Sequence, residues 1–177
     1  MKKILTVALL IMAVLAIATS AMAATGLGSV TSVKLTPAAA DKAGSVSVNT
    51  TMCALTLDEE GKIVAVKFDV VQPKAAFDAA GAASGELNAA PQTKKELKEG
   101  YGMKRVSAIG KEWYEQAAVL EDWCIGKTVE EVLSMKTFDR GDGSHTMVPE
   151  EADLVAGCTI TVGDYLKALV NAAADAQ

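Results

Sequence analysis

The sequence predicts an α+β protein, a single domain in which an antiparallel sheet carries packed helices. Three observations predict it. Runs that alternate apolar and polar residues concentrate before residue 72, amphipathic helical spacing begins only near residue 111, and nowhere do strand and helix alternate as a parallel sheet requires.

The strands come first. Gly28 to Thr36 ("GSVTSVKLT") alternates and reads as a first strand, followed by the loop "PAAADKAG". Ser45 to Leu57 ("SVSVNTTMCALTL") is rich in Val, Thr and Leu and forms a second. "DEEGK" turns the chain into Lys62 to Val71, where Val64, Val66, Phe68 and Val70 share one face. Two alternating runs joined by a short acidic turn containing Gly61 define a β-hairpin. Residues 72–93, rich in Ala, Gly, Ser and Pro, read as a surface excursion.

The helices follow. "TKKELKEGYGMKRVSAIG" is charged and interrupted by Gly100, Gly102 and Gly110. Lys111 to Cys124 is an amphipathic helix with Trp113, Ala117, Leu120 and Cys124 on one stripe, ended by Gly126. Thr128 and Glu131 have capping-box spacing for a second helix. Residues 137–150 read as a loop. Val162 to Ala174 is the final helix, with Thr161 and Asp164 as its capping box.

The first residues predict the compartment. Lys2 and Lys3, the apolar run Ile4 to Ala18 and the exit Ala21-Met22-Ala23 have the form of a secretory signal peptide over residues 1–23, cleaved after Ala23. The mature chain, residues 24–177, is then secreted or held in the cell envelope. Removing residues 1–23 deletes two lysines and no acid, so Lys+Arg falls from 17 to 15 against 22 acids, and the net charge moves from −5 to −7. An acidic surface disfavours nucleic acid and anionic membranes as partners, and no second segment is apolar enough for a span.

Chemistry is harder to find. Three cysteines are too few and too scattered for a disulfide framework; Cys53 and Cys124 read as buried small hydrophobes. The lone histidine, His145, and the absence of C-x-x-C argue against zinc or haem. "DRGDGSH" offers Asp139, Asp142 and Ser144 as loop oxygens, but lacks the calcium ligand ladder and reads as a polar glycine turn. Trp113 and Trp123, ten residues apart, read as core packing, and Tyr101 between two glycines as an exposed ring available for a contact.

"DLVAGCTITV", ahead of the final helix, raises the sharpest question. A helix start carries unpaired N–H groups and suits an anion, while Gly157 allows close backbone approach and Thr159 carries a hydroxyl. The alternative is ordinary: a strand "CTITV" feeding a helix whose hydroxyls serve as caps. "DLVAGCTIT" resembles the flavinylation motif of FMN-binding domains, found in subunits of sodium- and proton-pumping oxidoreductases and in secreted flavoproteins of Gram-positive bacteria. That motif reads Asp, two residues, Ser or Thr, Gly, Ala, then the acceptor Thr or Ser. Asp153, Gly157, Thr159 and Thr161 match it; Ala156 stands where the family has Ser or Thr, and Cys158 where it has Ala. "LDEEGKIVAVKFDVV" is similar to the D-G-K-I hairpin of that domain, and "KKELKEGYGMKRVSAIGKEWYEQAAVLEDWCIGKTVEEV" to a stretch of secreted clostridial-type members.

The resemblance covers most of the mature chain, and its implications are specific. A flavin transferase would join the phosphate of FMN to the Thr159 hydroxyl as a phosphoester. The isoalloxazine would then carry electrons between a donor and an acceptor that remain to be identified, so the protein would be a carrier rather than a turnover enzyme. Gly157, Cys158, Asp153, Thr161 and Tyr101 are the accompanying candidates for the cofactor site. The competing expectation is a cell-envelope binding or structural domain of the same fold without a cofactor.

Overall fold

The computed structural model describes residues 23–84 and 90–177; the basic and apolar start of the signal peptide, and residues 85–89 of the excursion, lie outside them. Strands β1 (Ala24–Thr36) and β2 (Gly44–Leu57) pair antiparallel along their length, from Ala24 opposite Leu57 to Thr36 opposite Ser45. The other edge of β2 is shared. Strand β3 (Ile63–Val71) takes Thr50 to Leu57, and β4 (Lys74–Phe77) takes Gly44 to Ser47. A two-residue strand β5 (Ala83–Ser84) completes the sheet against β4. The excursion thus contains strand pairing that its Ala-rich composition hides, because Pro73 ends β3 and lets the chain re-pair with the free end of β2.

The β2–β3 hairpin forms as expected. Asp58 Oδ1 accepts the N–H groups of Glu60 and Lys62 at 3.0 and 2.8 Å, and Gly61 supplies the left-handed residue with φ +75°. One inward position is corrected. Leu57 faces Ile63 while Thr56 faces Ala65, so a β-bulge leaves Val64 without a cross-strand partner. Ile63 is therefore fully buried and Val64 is 49% exposed, whereas Val66, Phe68 and Val70 occupy the core face as expected.

Four helices pack with this sheet in one compact α+β domain: α1 (Lys94–Leu97), α2 (Trp113–Cys124), α3 (Val129–Leu133) and α4 (Gly163–Asp175). Helix α3 begins at the predicted Thr128–Glu131 capping box, and an equivalent Thr93–Glu96 box starts α1. The predicted stripe of α2 is buried, in one core with Phe68, Leu154 and Leu169. Residues 137–150 are not wholly loop, since β6 (Thr137–Phe138) pairs with β7 (Val148–Pro149). Among the described residues no helix is long and apolar enough to cross a membrane.

Two contacts fix the helices on the sheet. Glu121 of α2, buried, accepts the Phe68 N–H at 2.8 Å and so satisfies a β3 backbone group that no strand reaches. Lys67 Nζ at 2.8 Å and Lys95 Nζ neutralise that carboxylate. Helix α4 lies directly on β1 because Gly26 and Gly28 have no Cβ. A Cβ at those positions would stand 2.0 and 2.1 Å from the carbonyl oxygens of Ala172 and Ala168. Gly28→Ala should therefore push the helix from the sheet and cost roughly 3 kcal/mol, near the upper end of overpacking penalties. Gly100, whose Cβ would meet nothing within 4 Å, is the control. Chemical denaturation of both variants checks this, and equal midpoints would contradict the close-approach account.

Candidate functional site

The segment ahead of α4 is not a strand. From Cys158 to Val162 the chain runs without ladder pairing, because side chains and one distant carbonyl take its backbone groups instead. The Thr159 N–H donates to Gln116 Oε1 at 2.8 Å, the Thr159 carbonyl accepts from the Arg140 guanidinium at 2.9 Å, and the Val162 N–H donates to the Met147 carbonyl at 3.0 Å. The Thr159 hydroxyl donates to the same Gln116 oxygen at 3.1 Å. Gln116 is fully buried in α2, and its Nε2 donates to Ser107 Oγ at 3.1 Å and the Lys111 carbonyl at 3.2 Å. Those bonds settle which end of the amide is oxygen. The hydroxyl of Thr159 is thus aimed by an element distant in sequence.

Thr161 does not cap the final helix. Helix α4 starts at Gly163 with Val162 at the N-cap, one residue too late for Thr161, and Asp164 pairs with Lys167 at 3.2 Å. The Thr161 hydroxyl is buried and has no hydrogen-bond partner, and Asn49 Oδ1 on β2 is in the same condition. Both residues line one cleft of about 540 Å³, together with Tyr101, Trp113 and His145. An unpaired buried polar atom costs free energy, and two such atoms belong to residues of this one cleft wall.

The cleft also holds a cation. Lys94 of α1 is 9% exposed, and its ammonium lies over the Tyr101 ring at 4.8 Å and the Trp113 ring at 5.3 Å from the centroids. Burial draws its pKa down to about 8, opposed by the more distant carboxylate of Asp69. Tyr101 is not the free surface ring expected: it is half-buried in a 3₁₀ turn, and its hydroxyl donates to Gln72 Oε1 at 3.2 Å. Trp113 is held in turn by its indole N–H, which donates to Tyr165 Oη at 3.0 Å.

The remaining candidates divide. Gly157 is buried against Val119, whose Cγ1 a Cβ would approach to 2.8 Å, so it serves packing of the turn on α2. Cys158 is fully buried and burial pushes its thiol up to about 11, as it pushes Cys53 and Cys124 up to about 12; all three are free thiols held protonated and inert. Asp153 is exposed on the preceding turn and is not among the residues that line the cleft. In "DRGDGSH" the carboxylates serve the turn: Asp139 accepts the Gly141 N–H, and Asp142 those of Ser144 and His145. These bonds, with His145 Nδ1 at 2.7 Å, hold the Asp142 carboxyl down at about 2.

Sequence reading missed Gln116, Lys94, Asn49 and Arg140. Only Lys94 carried a local signal, the T-x-x-E box that starts α1 immediately before it; the other three depend on contacts between distant parts of the chain.

Comparison with known proteins gives a narrow result. No family model matches the chain, and no solved structure matches it. Over an alignment of 98 residues, which covers 49% of this chain and 30% of the other, the chain is 39% identical to a protein of Desulfitobacterium hafniense named chlorophenol reductase. The chain therefore spans about a third of the length of the curated relative it matches.

Lys94 makes the geometry testable by pH. Its folded pKa of about 8 lies below the ordinary 10.5, so between those values the unfolded chain holds a proton that the folded chain lacks. Stability should rise with pH through that window, by at most roughly 3 kcal/mol from this group. The buried thiols act oppositely above pH 9, so the comparison is between wild type and Lys94→Met. Denaturation from pH 7 to 10.5 should show wild type gaining on the variant; parallel curves would contradict the burial of a charged Lys94.

Proposed function

We propose that this protein is an exported redox carrier whose FMN is joined through its phosphate to Thr159, with the isoalloxazine seated in the adjacent cleft. The observation that carries the reading is the Thr159 hydroxyl held by buried Gln116; Thr159 does not line the cleft itself but directly precedes Ile160 and Thr161, which do. Three further features support it. The sequence resembles a flavinylation motif at this threonine. The cleft has the size of ordinary cofactor sites, and its aromatic walls and orphaned polar atoms suit a flat ring with a polar edge. A reductase is among the proteins this chain resembles, which favours a redox role over a purely structural one.

The residues present suit the group. Gln116 holds the hydroxyl, and Arg140, whose guanidinium bonds the Thr159 carbonyl, is a cation on the same residue that would suit a phosphate joined there. Tyr101 is the half-buried ring of the wall, and Asn49 and Thr161 bring an amide and a hydroxyl to the same cleft. When bound, the flavin supplies the electron chemistry, and the protein supplies placement and electrostatics. Tethering suits export, because a covalent cofactor cannot diffuse from a protein outside the cytoplasm. Its partners on this reading are a flavin transferase and separate electron donor and acceptor proteins.

Co-expression with a flavin transferase in an exporting host, followed by peptide mass mapping, tests the site. Thr159→Ala should abolish attachment and Thr159→Ser retain part of it, since a phosphoester needs a hydroxyl. Thr161→Ala should leave the mass adduct on Thr159. An adduct on Thr161 or Ser144 would refute the site, and an unmodified chain in every case would favour the cofactor-free envelope domain. Gln116→Leu should lower modification and, by leaving the Thr159 N–H without its acceptor, cost about 1–3 kcal/mol. Export predicts that the N-terminus of the mature protein is Ala24; sequencing that begins at Met1 would exclude cleavage.

A further inference from the structure

The cleft holds a cation that the tether does not explain. Its charged lining residues are Lys94, Asp164 and Lys167, with the imidazole of His145 beside them in the lining, and Asp164 is bonded to Lys167. Among the described residues no carboxylate stands within ion-pair distance of Lys94, whose ammonium has only the faces of Tyr101 and Trp113. The partly buried Lys95 is treated otherwise, for it shares the carboxylate of Glu121 with the exposed Lys67. A poorly solvated ammonium in the wall of an open cleft, in a protein of net charge −5, is a site that gains from a negative charge arriving opposite it.

We infer that Lys94 makes this cleft bind the reduced, anionic form of a flavin ring more tightly than the oxidised, neutral form, and so raises the reduction potential of the bound cofactor. This rests on the ring lying in the cleft, and deepens that reading by naming the residue that tunes it. The charge change is specific: the oxidised ring takes two electrons from a low-potential donor and one proton from solvent, and the product carries one negative charge. By linkage, the logarithm of the ratio of affinities for the two forms sets the shift in potential that the site imposes. Asn49 and Thr161 carry no net charge, so neither distinguishes the two forms by charge. Lys94 acts as a positioning residue for charge, since it neither forms nor breaks a bond.

The experiment uses mature protein carrying Thr159→Ala and made without a transferase, titrated anaerobically with riboflavin. This probe has no phosphate and is not tethered. Oxidised and dithionite-reduced riboflavin are compared by fluorescence quenching or calorimetry at pH 7. The reduced form should bind about tenfold tighter, the scale of one partly buried charge pair. Lys94→Met should bring the two affinities together mainly by weakening the reduced form, and Lys94→Arg should restore the preference. Circular dichroism on each variant confirms that it is folded, and Lys94→Gln replaces Lys94→Met where the latter fails. An undiminished preference in Lys94→Met, an equal loss for both forms, or no riboflavin binding by folded protein would each overturn the inference. None of these outcomes bears on the adduct at Thr159, which peptide mass decides separately. Conversely, an unmodified Thr159 with a Lys94-dependent preference would leave the inference standing without the tether.

Discussion

The amide of Gln116 is the contact on which the candidate site depends. One oxygen accepts both the backbone N–H and the hydroxyl of Thr159, while its nitrogen is held by Ser107 and Lys111. A segment without ladder pairing would otherwise bring an unsatisfied N–H into a partly buried position. Satisfying that group from α2 fixes where Thr159 sits, and also orients its hydroxyl. Arg140 and Met147 complete the restraint from the loop on the other side. The same segment that could have been a plain strand is instead an irregular bridge between the core and the cleft.

The rest of the fold makes that arrangement possible through close approach. Gly26 and Gly28 let α4 rest on β1, and Gly157 lets the turn ahead of Thr159 rest on Val119 of α2. Glu121 holds α2 along β3 from the same helix that carries Gln116. The helix that aims the hydroxyl is therefore anchored to the sheet whose second strand supplies Asn49. Position and chemistry share one scaffold, as a precise site requires.

Much of this was legible in the sequence, and the reasons are physical. Local signals were sufficient for the β2–β3 hairpin, because Asp58 and Gly61 specify its turn, and for the buried stripe of α2, because period and burial coincide there. They failed where a single residue shifts the frame. The bulge at Val64 exchanged it with Ile63, and the start of α4 at Gly163 left Thr161 without the capping role its spacing suggested. Of the site, Thr159 and Thr161 were visible as hydroxyls and Tyr101 as a ring. Their functional setting was not, because Gln116 reads as one more polar residue on an amphipathic helix and Asn49 as one more polar residue in a strand.

Electrostatics separate this cleft from the surrounding surface. Asp142 and Glu121 are acids stabilised by their own N–H donors and lysines, and the three thiols are kept neutral by burial. Lys94 has ring faces and the more distant Asp69 but no ion-pair partner among the described residues, where Asn49 Oδ1 and the Thr161 hydroxyl of the same cleft also lack partners. The most direct measurement of the account is the intact mass of the protein isolated from outside the cells of its native host. The account predicts a chain that begins at Ala24 and carries the mass of one FMN less one water; a chain of that same start with no added mass would contradict it.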